Sequence, residues 1–132
     1  MFEVLLANHH HCRHHHRKYL LQLTQFQGAK LAQANFQEAD LYATDFSRAY
    51  LRDVDLSYSN LRRATFYETV LTSANLRGAN LFLASFKNNK WAYLDGTHEV
   101  ILPDGESWSA ETDMEKFTNP EHPDFAETLK AI

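Results

Sequence analysis

The chain has 132 residues, enough for one domain, and a formal net charge of −4. The charge is unevenly distributed. Residues 1–20 carry one acidic and three basic side chains, residues 21–95 carry seven acidic and eight basic ones, and residues 96–132 carry nine acidic and two basic ones. No concentrated basic stripe is present, which speaks against a nucleic-acid partner, and no run approaches the ~18 apolar residues of a membrane span. The single cysteine, Cys12, excludes an internal disulfide.

Residues 1–20 form a histidine-rich extension. Its possible metal ligands are His9, His10, His11, Cys12, His14, His15 and His16. Imidazole and thiolate groups suit zinc, copper or nickel, so metal binding is one interpretation. The alternative, which we favour, is an unstructured extension, because contiguous histidines indicate no fixed ligand geometry. The apolar start at 1–7 lacks a basic leading region and makes a poor signal peptide, so we expect a cytoplasmic protein without a bound cofactor.

Large apolar residues recur at every fifth position through the middle of the chain. The series is Phe26, Leu31, Phe36, Leu41, Phe46, Leu51, Leu56, Leu61, Phe66, Leu71, Leu76, Leu81 and Phe86, and Leu21 and Trp91 extend it by one step at each end. We call these residues the repeat centres. A small residue usually stands two positions before each centre, and Asp or Asn often stands immediately before it.

A five-residue period fits neither a helix nor a flat strand. In a helix it would spread the centres around the cylinder, and in a strand it would send successive centres to opposite faces. The chain must therefore turn one corner per repeat and point each centre inward. Phe26, Phe46, Phe66 and Phe86 lie twenty residues apart, which predicts four repeats per coil, about three to four coils, and a column of stacked phenylalanines.

The repeats resemble those of the pentapeptide-repeat family. The likeness rests on Ala-Asn-Phe at 34–36, Ala-Asp-Leu at 39–41, and Ala-Asn-Leu at 74–76 and 79–81. The resemblance covers residues 21–95 and implies an all-β solenoid, a right-handed quadrilateral β-helix.

The acidic segment 96–132 is predicted to cover the C-terminal end of the solenoid, because the open end of a coil stack exposes apolar surface and unpaired backbone groups. Pro103-Asp104-Gly105 predicts a turn, and Thr112 to Glu115 predicts a capping box that opens a short helix. Met114 and Phe117 of this helix would lie on the last coil, and Asn119-Pro120 would end it. A further helical stretch is predicted from Asp124 onward. The segment resembles the tail of cyanobacterial members of the family.

The sequence shows no enzyme active site. Its glycines are scattered singly, so no phosphate-binding loop is present. Cys12 beside histidine lacks a third orienting group, and a filled solenoid offers no cleft. A protein-interaction or scaffold module is the leading hypothesis. The resemblance supplies the alternative, since some members of the family, the quinolone-resistance proteins, imitate DNA and bind DNA gyrase.

Outward residues twenty apart should stack in columns on the solenoid surface. This places Tyr42, Arg62 and Phe82 in one column and Ala43, Arg63 and Leu83 in the next, with Tyr67 one face away. Aromatic residues and arginine are enriched at protein interfaces, although scattered exposed apolar residues are common on any surface. We predict an interaction surface for an unidentified acidic, partly apolar protein or for the acidic tail of a second copy. The chain would then be a monomer or weak homodimer. Folding back of the tail over the C-terminal end of its own solenoid is the competing explanation, and it needs no partner.

Overall fold

A computed structural model of the protein describes residues 20–88, 100–109 and 111–125. The predictions for the histidine tract at 9–16, for Trp91 and for the stretch after Phe125 lie outside these residues. Within them the regular elements are short. Strands β1 (Thr65–Tyr67) and β2 (Ser85–Lys87) pair in parallel, and helix α1 spans Glu115–Thr118.

A ladder of parallel bridges joins residues twenty apart along the chain. It runs from Leu20–Asp40 to Asn60–Asn80 through isolated bridges, and the β1–β2 pair continues it by placing Phe66 opposite Phe86. Each coil both donates to and accepts from the next. The Phe26 amide, for example, donates to the Asp45 carbonyl at 2.8 Å, and the Asp45 amide donates to the Thr24 carbonyl at 3.0 Å. Four five-residue repeats therefore make one coil.

The ladder stacks the repeat centres into the core. All thirteen centres from Phe26 to Phe86 are at most 2% exposed. In the phenylalanine column, ring centroids of successive coils are 5.4, 5.4 and 4.8 Å apart, with interplanar angles of 13° or less. Phe36 packs edge-on against Phe26 and Phe46 at 5.6 and 5.8 Å. The phenylalanine column thus consists of like side chains in a shared ring orientation.

From position 34 to position 84, the residues two positions before the centres are buried. Thr44 donates its hydroxyl to the Leu21 carbonyl at 3.0 Å, and Ser59 donates to the Leu56 carbonyl at 2.6 Å. A hydroxyl therefore fits this position nearly as well as the methyl group of alanine, because each buried O–H finds a backbone acceptor.

Each repeat turns its corner through a left-handed residue two positions after the centre. Every such position from Leu23 to Asn88 has a φ between 54° and 69°, including Gly28 and Gly78. The centre carbonyl accepts the amide three residues later, as from Ala49 to Phe46 at 2.9 Å, which is the pattern of a type II turn. Left-handed backbone costs a non-glycine residue roughly 1–2 kcal/mol, so the ladder and core hold these corners in place.

The Asp or Asn before a centre stabilises the turn that follows. Its Oδ1 accepts the backbone N–H two residues later at Asn35, Asp40, Asp45, Asp55, Asn60, Asn75 and Asn80. The Asp45 carboxylate, for example, accepts the Ser47 amide at 2.8 Å. This local bond gives the turn N–H a partner and explains why short carboxylate and amide side chains suit the position.

Residues 100–103 continue the ladder beyond the last repeat. Ile101 pairs in parallel with Asn80, a separation of twenty-one residues, and its other edge pairs antiparallel with Ser107. Val100 and Leu102 are each 1% exposed, so they take the positions of a small residue and a centre. The predicted turn at Pro103-Asp104-Gly105 is confirmed, since the Gly105 amide donates to the Leu102 carbonyl at 2.8 Å. The repeat-like role of 100–102 was not apparent in the sequence.

The predicted capping box at 112–115 is wrong. Helix α1 begins at Glu115, and its N-cap residue, Met114, makes no side-chain capping bond. The Thr112 hydroxyl instead accepts the Ser109 amide at 3.0 Å, and the Asp113 carboxylate accepts the Glu115 amide at 3.1 Å. Asp113 has therefore taken the donor that a capping threonine would need.

Helix α1 contacts the last described repeat. It ends at Thr118, before Pro120, as predicted, and Asn119 has an extended conformation. Phe117 is 3% exposed. The Thr118 carbonyl accepts the Asn88 amide at 2.8 Å, so the segment supplies a backbone partner to the repeat that follows Phe86.

The Phe66→Ala variant should lose about 3–5 kcal/mol of unfolding free energy, because Phe66 has a stacked ring on both sides and its removal leaves a cavity. Urea denaturation measures the loss. Phe26→Ala should lose less, because Phe26 is the first of the four phenylalanines in the column and Phe66 lies between two others. Equal losses in the two variants would contradict the stacking argument.

Asp45 should make folding pH-dependent. Burial raises the pKa of Asp45, but hydrogen bonds from Ser47 and Gln27 and the charge of Arg48 bring the pKa below its ordinary value. A lowered folded-state pKa stabilises the protein above the unfolded value of about 3.9, and the contribution is lost as pH falls through the folded pKa. The stability advantage of wild type over Asp45→Asn should thus shrink from about pH 5 to about pH 3 in urea titrations. A constant difference over this range would refute the assignment.

Candidate protein-interaction surface

Three of the predicted surface residues form one stack across three coils. The Arg62 Cζ lies 5.9 Å from the Tyr42 ring centroid on one side and 6.0 Å from the Phe82 centroid on the other. Both distances are within the range of cation–π attraction. The ladder produces this arrangement, because the three residues occupy the same place in successive coils. We call Tyr42, Arg62 and Phe82 the Arg62 stack.

The neighbouring column occupies the left-handed corner positions. Ala43, Arg63 and Leu83 have φ values of 56°, 61° and 64°. Arg63 is exposed, whereas Leu83 is half-buried and its amide donates to the Pro103 carbonyl at 2.9 Å. Arg63 therefore adds a second guanidinium beside the Arg62 stack, and Leu83 lies closer to the C-terminal segment.

The C-terminal segment borders the Phe82 end of the Arg62 stack. A Cβ on Gly105 would lie 3.3 Å from Phe82 Cε1, and Asp104 forms an ion pair with Lys116 at 3.5 Å. Phe82 is accordingly half-buried, whereas Arg62 is exposed. Residues 103–105 reach Phe82 through the bridge at Ile101, which the five-residue period did not predict.

Tyr67 lies away from the Arg62 stack. Its side chain is 44% exposed on the next face, where it lines a cavity of about 260 Å³ with Phe86, Pro120 and Phe125. Its nearest surroundings are therefore the last repeat and the segment after α1. The structure does not bring Tyr67 together with the other predicted surface residues.

A second arginine–aromatic stack was missed in the sequence. The Arg77 Cζ lies 5.9 Å from the Tyr58 ring centroid, and Tyr58 is 50% exposed. The Tyr58 ring lies over Gly78, where an added Cβ would approach Tyr58 Cδ1 to 2.5 Å. The twenty-residue shift from Tyr58 to Gly78 was a usable signal, because only glycine leaves room for a ring folded over the next coil.

A groove of about 290 Å³ lies between the two stacks, next to the corner at Tyr58. Its lining residues are Glu38, Ala39, Tyr58, Ser59, Asn60, Arg62, Gly78 and Asn80. Of these residues, Ala39 and Ser59 are buried, whereas Tyr58 and Arg62 are exposed. We call this the corner groove.

The arginines of both stacks lack carboxylate partners within the described ranges. The ion pairs found there are Arg52–Asp53 at 3.8 Å, Lys116–Asp104 at 3.5 Å and His122–Asp113 at 2.9 Å. Arg62, Arg63 and Arg77 take part in none of these. Two of the three are instead held against aromatic rings, so their N–H groups remain available to an acceptor from outside.

A histidine–carboxylate pair fastens the loop after α1. The Asp124 amide donates to His122 Nδ1 at 3.0 Å, so the proton lies on Nε2, which donates to Asp113 Oδ2 at 2.9 Å. This hydrogen bond lowers the pKa of Asp113. Among residues 20–88, 100–109 and 111–125, no group of three His, Cys, Asp or Glu is arranged to hold a metal ion, and no helix is long and apolar enough to cross a membrane.

Solved structures of pentapeptide repeat proteins are among the proteins that are similar to this chain. The chain is similar to a pentapeptide repeat protein from Nostoc Pcc 7120, with 33% identity over 59% of this chain and 70% of that one, and a TM-score of 0.45. It is similar to Rfr23 from Cyanothece 51142, with 22% identity over 55% and 69% and a TM-score of 0.41. It is similar to QnrB1, a plasmid-mediated fluoroquinolone resistance protein, with 14% identity over 57% of this chain and 57% of that one, and a TM-score of 0.20. No curated protein matches the chain.

The sequence pattern of the pentapeptide repeat region matches residues 21–95, more than half of the chain. Proteins with this region form right-handed quadrilateral β-helices and are generally structural or interaction proteins without enzymatic activity. The five-residue period and the coil of four repeats are consistent with this match. The chain belongs to the pentapeptide-repeat family.

Proposed function

We propose that the protein is a non-enzymatic interaction module that binds an acidic, partly apolar protein on the face carrying the Arg62 stack. The observation that carries the proposal is a guanidinium held between two rings without a carboxylate partner in the described part of the chain. Arginine binds carboxylates through paired N–H groups, and its stacking on rings leaves the guanidinium edge available for such pairs.

Rigidity of the support strengthens this proposal. The solenoid is proposed to hold three to four coils, closed at its end by the C-terminal segment. The in-register ladder and the Asn88–Thr118 bond are consistent with this arrangement. A side chain fixed before binding loses less conformational entropy when a partner arrives. Stacking between Tyr42 and Phe82 restrains Arg62 in this way, which raises the affinity obtained from a small contact area.

The Arg62→Ser variant should lose partners that the wild-type protein captures from an extract of the source cells. Arg52→Ser is the matched control, because Arg52 follows a repeat centre on another face and its side chain is 70% exposed. Both variants should keep the wild-type stability within about 0.5 kcal/mol, since neither side chain is in the core. Mass spectrometry of the captured proteins compares the three samples. Loss of the same partners from both variants, or from neither, would refute the role of the Arg62 stack.

Binding of DNA gyrase by imitation of DNA is the alternative function. A surface that imitates DNA should carry a dense negative charge, whereas residues 21–95 carry seven acids and eight bases. We therefore expect the purified protein, in molar excess, to leave gyrase supercoiling of plasmid DNA unchanged on agarose gels. Inhibition of supercoiling would favour the alternative.

Metal binding by the tract at 9–16 stays a prediction.

A further inference from the structure

The face that carries the Arg62 stack has an apolar end on its first two coils. Leu20 and Leu23 are the most exposed large apolar side chains in the described part of the chain, at 78% and 67%. Tyr42 and Ala43 follow on the second coil and are half-buried. The Leu23 amide donates to the Tyr42 carbonyl at 2.9 Å, so the two coils are in direct contact here. Apolar side chains grouped on one face in this way are typical of a protein contact.

The third coil of the same face is cationic. Arg63 follows Leu23 and Ala43 in the corner column, and Arg62 follows Tyr42 in the neighbouring one. The Ala43 amide donates to the Arg62 carbonyl at 2.8 Å, and the Arg62 Cζ lies 5.9 Å from the Tyr42 centroid. The face therefore changes from apolar to cationic over one coil. We call Leu23, Tyr42, Ala43, Arg62 and Arg63 the Leu23 strip.

The face brings no free carboxylate to these arginines. Among residues 20–23, 40–43 and 60–63, the acidic residue is Asp40. Its Oδ1 accepts the Tyr42 amide at 3.3 Å and Asn60 Nδ2 at 3.0 Å, and its Oδ2 accepts Gln22 Nε2. The same face of a second copy would offer only this hydrogen-bonded carboxylate together with the same positive charges. An occupant of the strip therefore has to supply an acidic side chain of its own.

The backbone of the strip is already occupied by the ladder. The amides of Leu23, Ala43 and Arg63 donate to carbonyls of the next coil at 2.8–3.1 Å, so the strip contacts a partner through side chains. An extended segment lying across apolar side chains would leave its own N–H and C=O groups without partners, which is costly. A helix pairs these groups internally. The strip therefore favours a helix over an extended segment.

The spacing within one column also fits a helix. At about 4.8 Å per coil, the positions of Leu23, Ala43 and Arg63 lie at about 0, 4.8 and 9.6 Å along the solenoid axis. Helix residues i, i+3 and i+7 share one face and lie at about 0, 4.5 and 10.5 Å. Alternate residues of a strand lie at about 0, 6.8 and 13.6 Å. A helix along the axis stays within about 1 Å of the column, whereas a strand departs from it by about 4 Å at Arg63.

From these observations we infer that the Leu23 strip binds an amphipathic helix of the partner, which lies along the solenoid axis with apolar residues at i and i+3 and an acidic residue at i+7. The apolar residues pack on Leu23, Tyr42 and Ala43. The acidic residue pairs with Arg63, and Arg62 lies beside it. This inference rests on the proposed function, and it adds the secondary structure and residue spacing of the segment that binds.

Peptide titrations of the full chain, followed by amide NMR shifts, test the inference. The probe is an acetylated and amidated helical peptide of alanine and glutamine with Leu at i and i+3 and Glu at i+7. It should shift the amides of Leu23, Ala43 and Arg63 and leave that of Arg52, on another face, unchanged. A peptide with Gln at i+7 should bind about two- to fivefold more weakly, the range for partly exposed charge pairs. Absence of binding by the probe would refute the inference.

Two comparison peptides separate the helix from its composition. One carries the Glu at i+5, on the opposite side of the helix, and should bind as weakly as the Gln peptide. The other has Pro at i+5, which breaks the helix and leaves both Leu residues and the Glu in place. It should bind at least about tenfold more weakly than the probe. Equal binding of the Pro peptide and the probe would overturn the inference.

Two variants assign the contacts on the strip. Leu23→Ser should remove the preference for Leu over Ala at position i, and Arg63→Gln should reduce the preference for Glu over Gln at i+7. The matched controls are Gln33→Ser and Arg48→Gln, because both residues are exposed at left-handed corners of other faces, with φ values of 64° and 59°. The controls should keep both preferences. Unchanged preferences in Leu23→Ser and Arg63→Gln would contradict the assignment.

Sedimentation of the free chain tests a second copy as the occupant. A monomer supports a separate partner, whereas a dimer that Leu23→Ser dissociates would overturn the inference. Loss of captured partners in Arg62→Ser, with equal binding of the Pro peptide and the probe, would overturn the helix and leave the proposed function standing. Probe binding that depends on Leu23 and Arg63, with unchanged capture by Arg62→Ser, would refute the proposed function alone.

Discussion

The parallel hydrogen-bond ladder between residues twenty apart is the constraint on which the rest of the structure depends. A shift of the ladder by one residue would move every centre out of the core, because only the centre and the small residue two positions before it point inward in each repeat. The register also fixes the corners. Each corner places a residue in the left-handed region, a conformation unfavourable by itself for residues such as Leu23 and Tyr58. Core burial and the ladder together hold these corners, so their strain is distributed over all repeats.

The same register determines the chemistry of the surface. Outward side chains of successive coils stand about 4.8 Å apart, which forces each residue to interact with the one twenty positions away. Arg62 between two rings, Tyr58 over Gly78 and the Asn60–Asp40 hydrogen bond are three outcomes of this proximity. A surface side chain in this fold is therefore understood through its column, and neighbours in sequence matter less. This is why an arginine can remain ordered without an acidic partner of its own.

The periodic part of the chain could be predicted from the sequence, and the aperiodic part could not. Thirteen centres in one phase and four phenylalanines at a spacing of twenty were enough to infer the core, the coil of four repeats and the columns of the Arg62 stack. Residues 100–102 escaped this reasoning because they join the ladder at a separation of twenty-one. The capping box failed because Asp113 competes with Thr112 for the backbone amides at the helix start. In both places a non-local or competing hydrogen bond replaced the local pattern.

The filled interior restricts how this protein can recognise a partner. Its columns of Phe and Leu fill the core of residues 20–88, so recognition by this part of the chain has to use side chains that project from the faces and corners. At the Phe82 end of the Arg62 stack, Gly105 already lies against the ring. This leaves Arg62, Tyr42 and the adjoining corner groove as the accessible surface. There the exposed groups differ in charge, because Glu38 and Arg62 both line the groove. Under the proposed function, an acidic partner bound at Arg62 would meet repulsion if it placed a second carboxylate beside Glu38, so this surface would discriminate by charge order as well as by net charge.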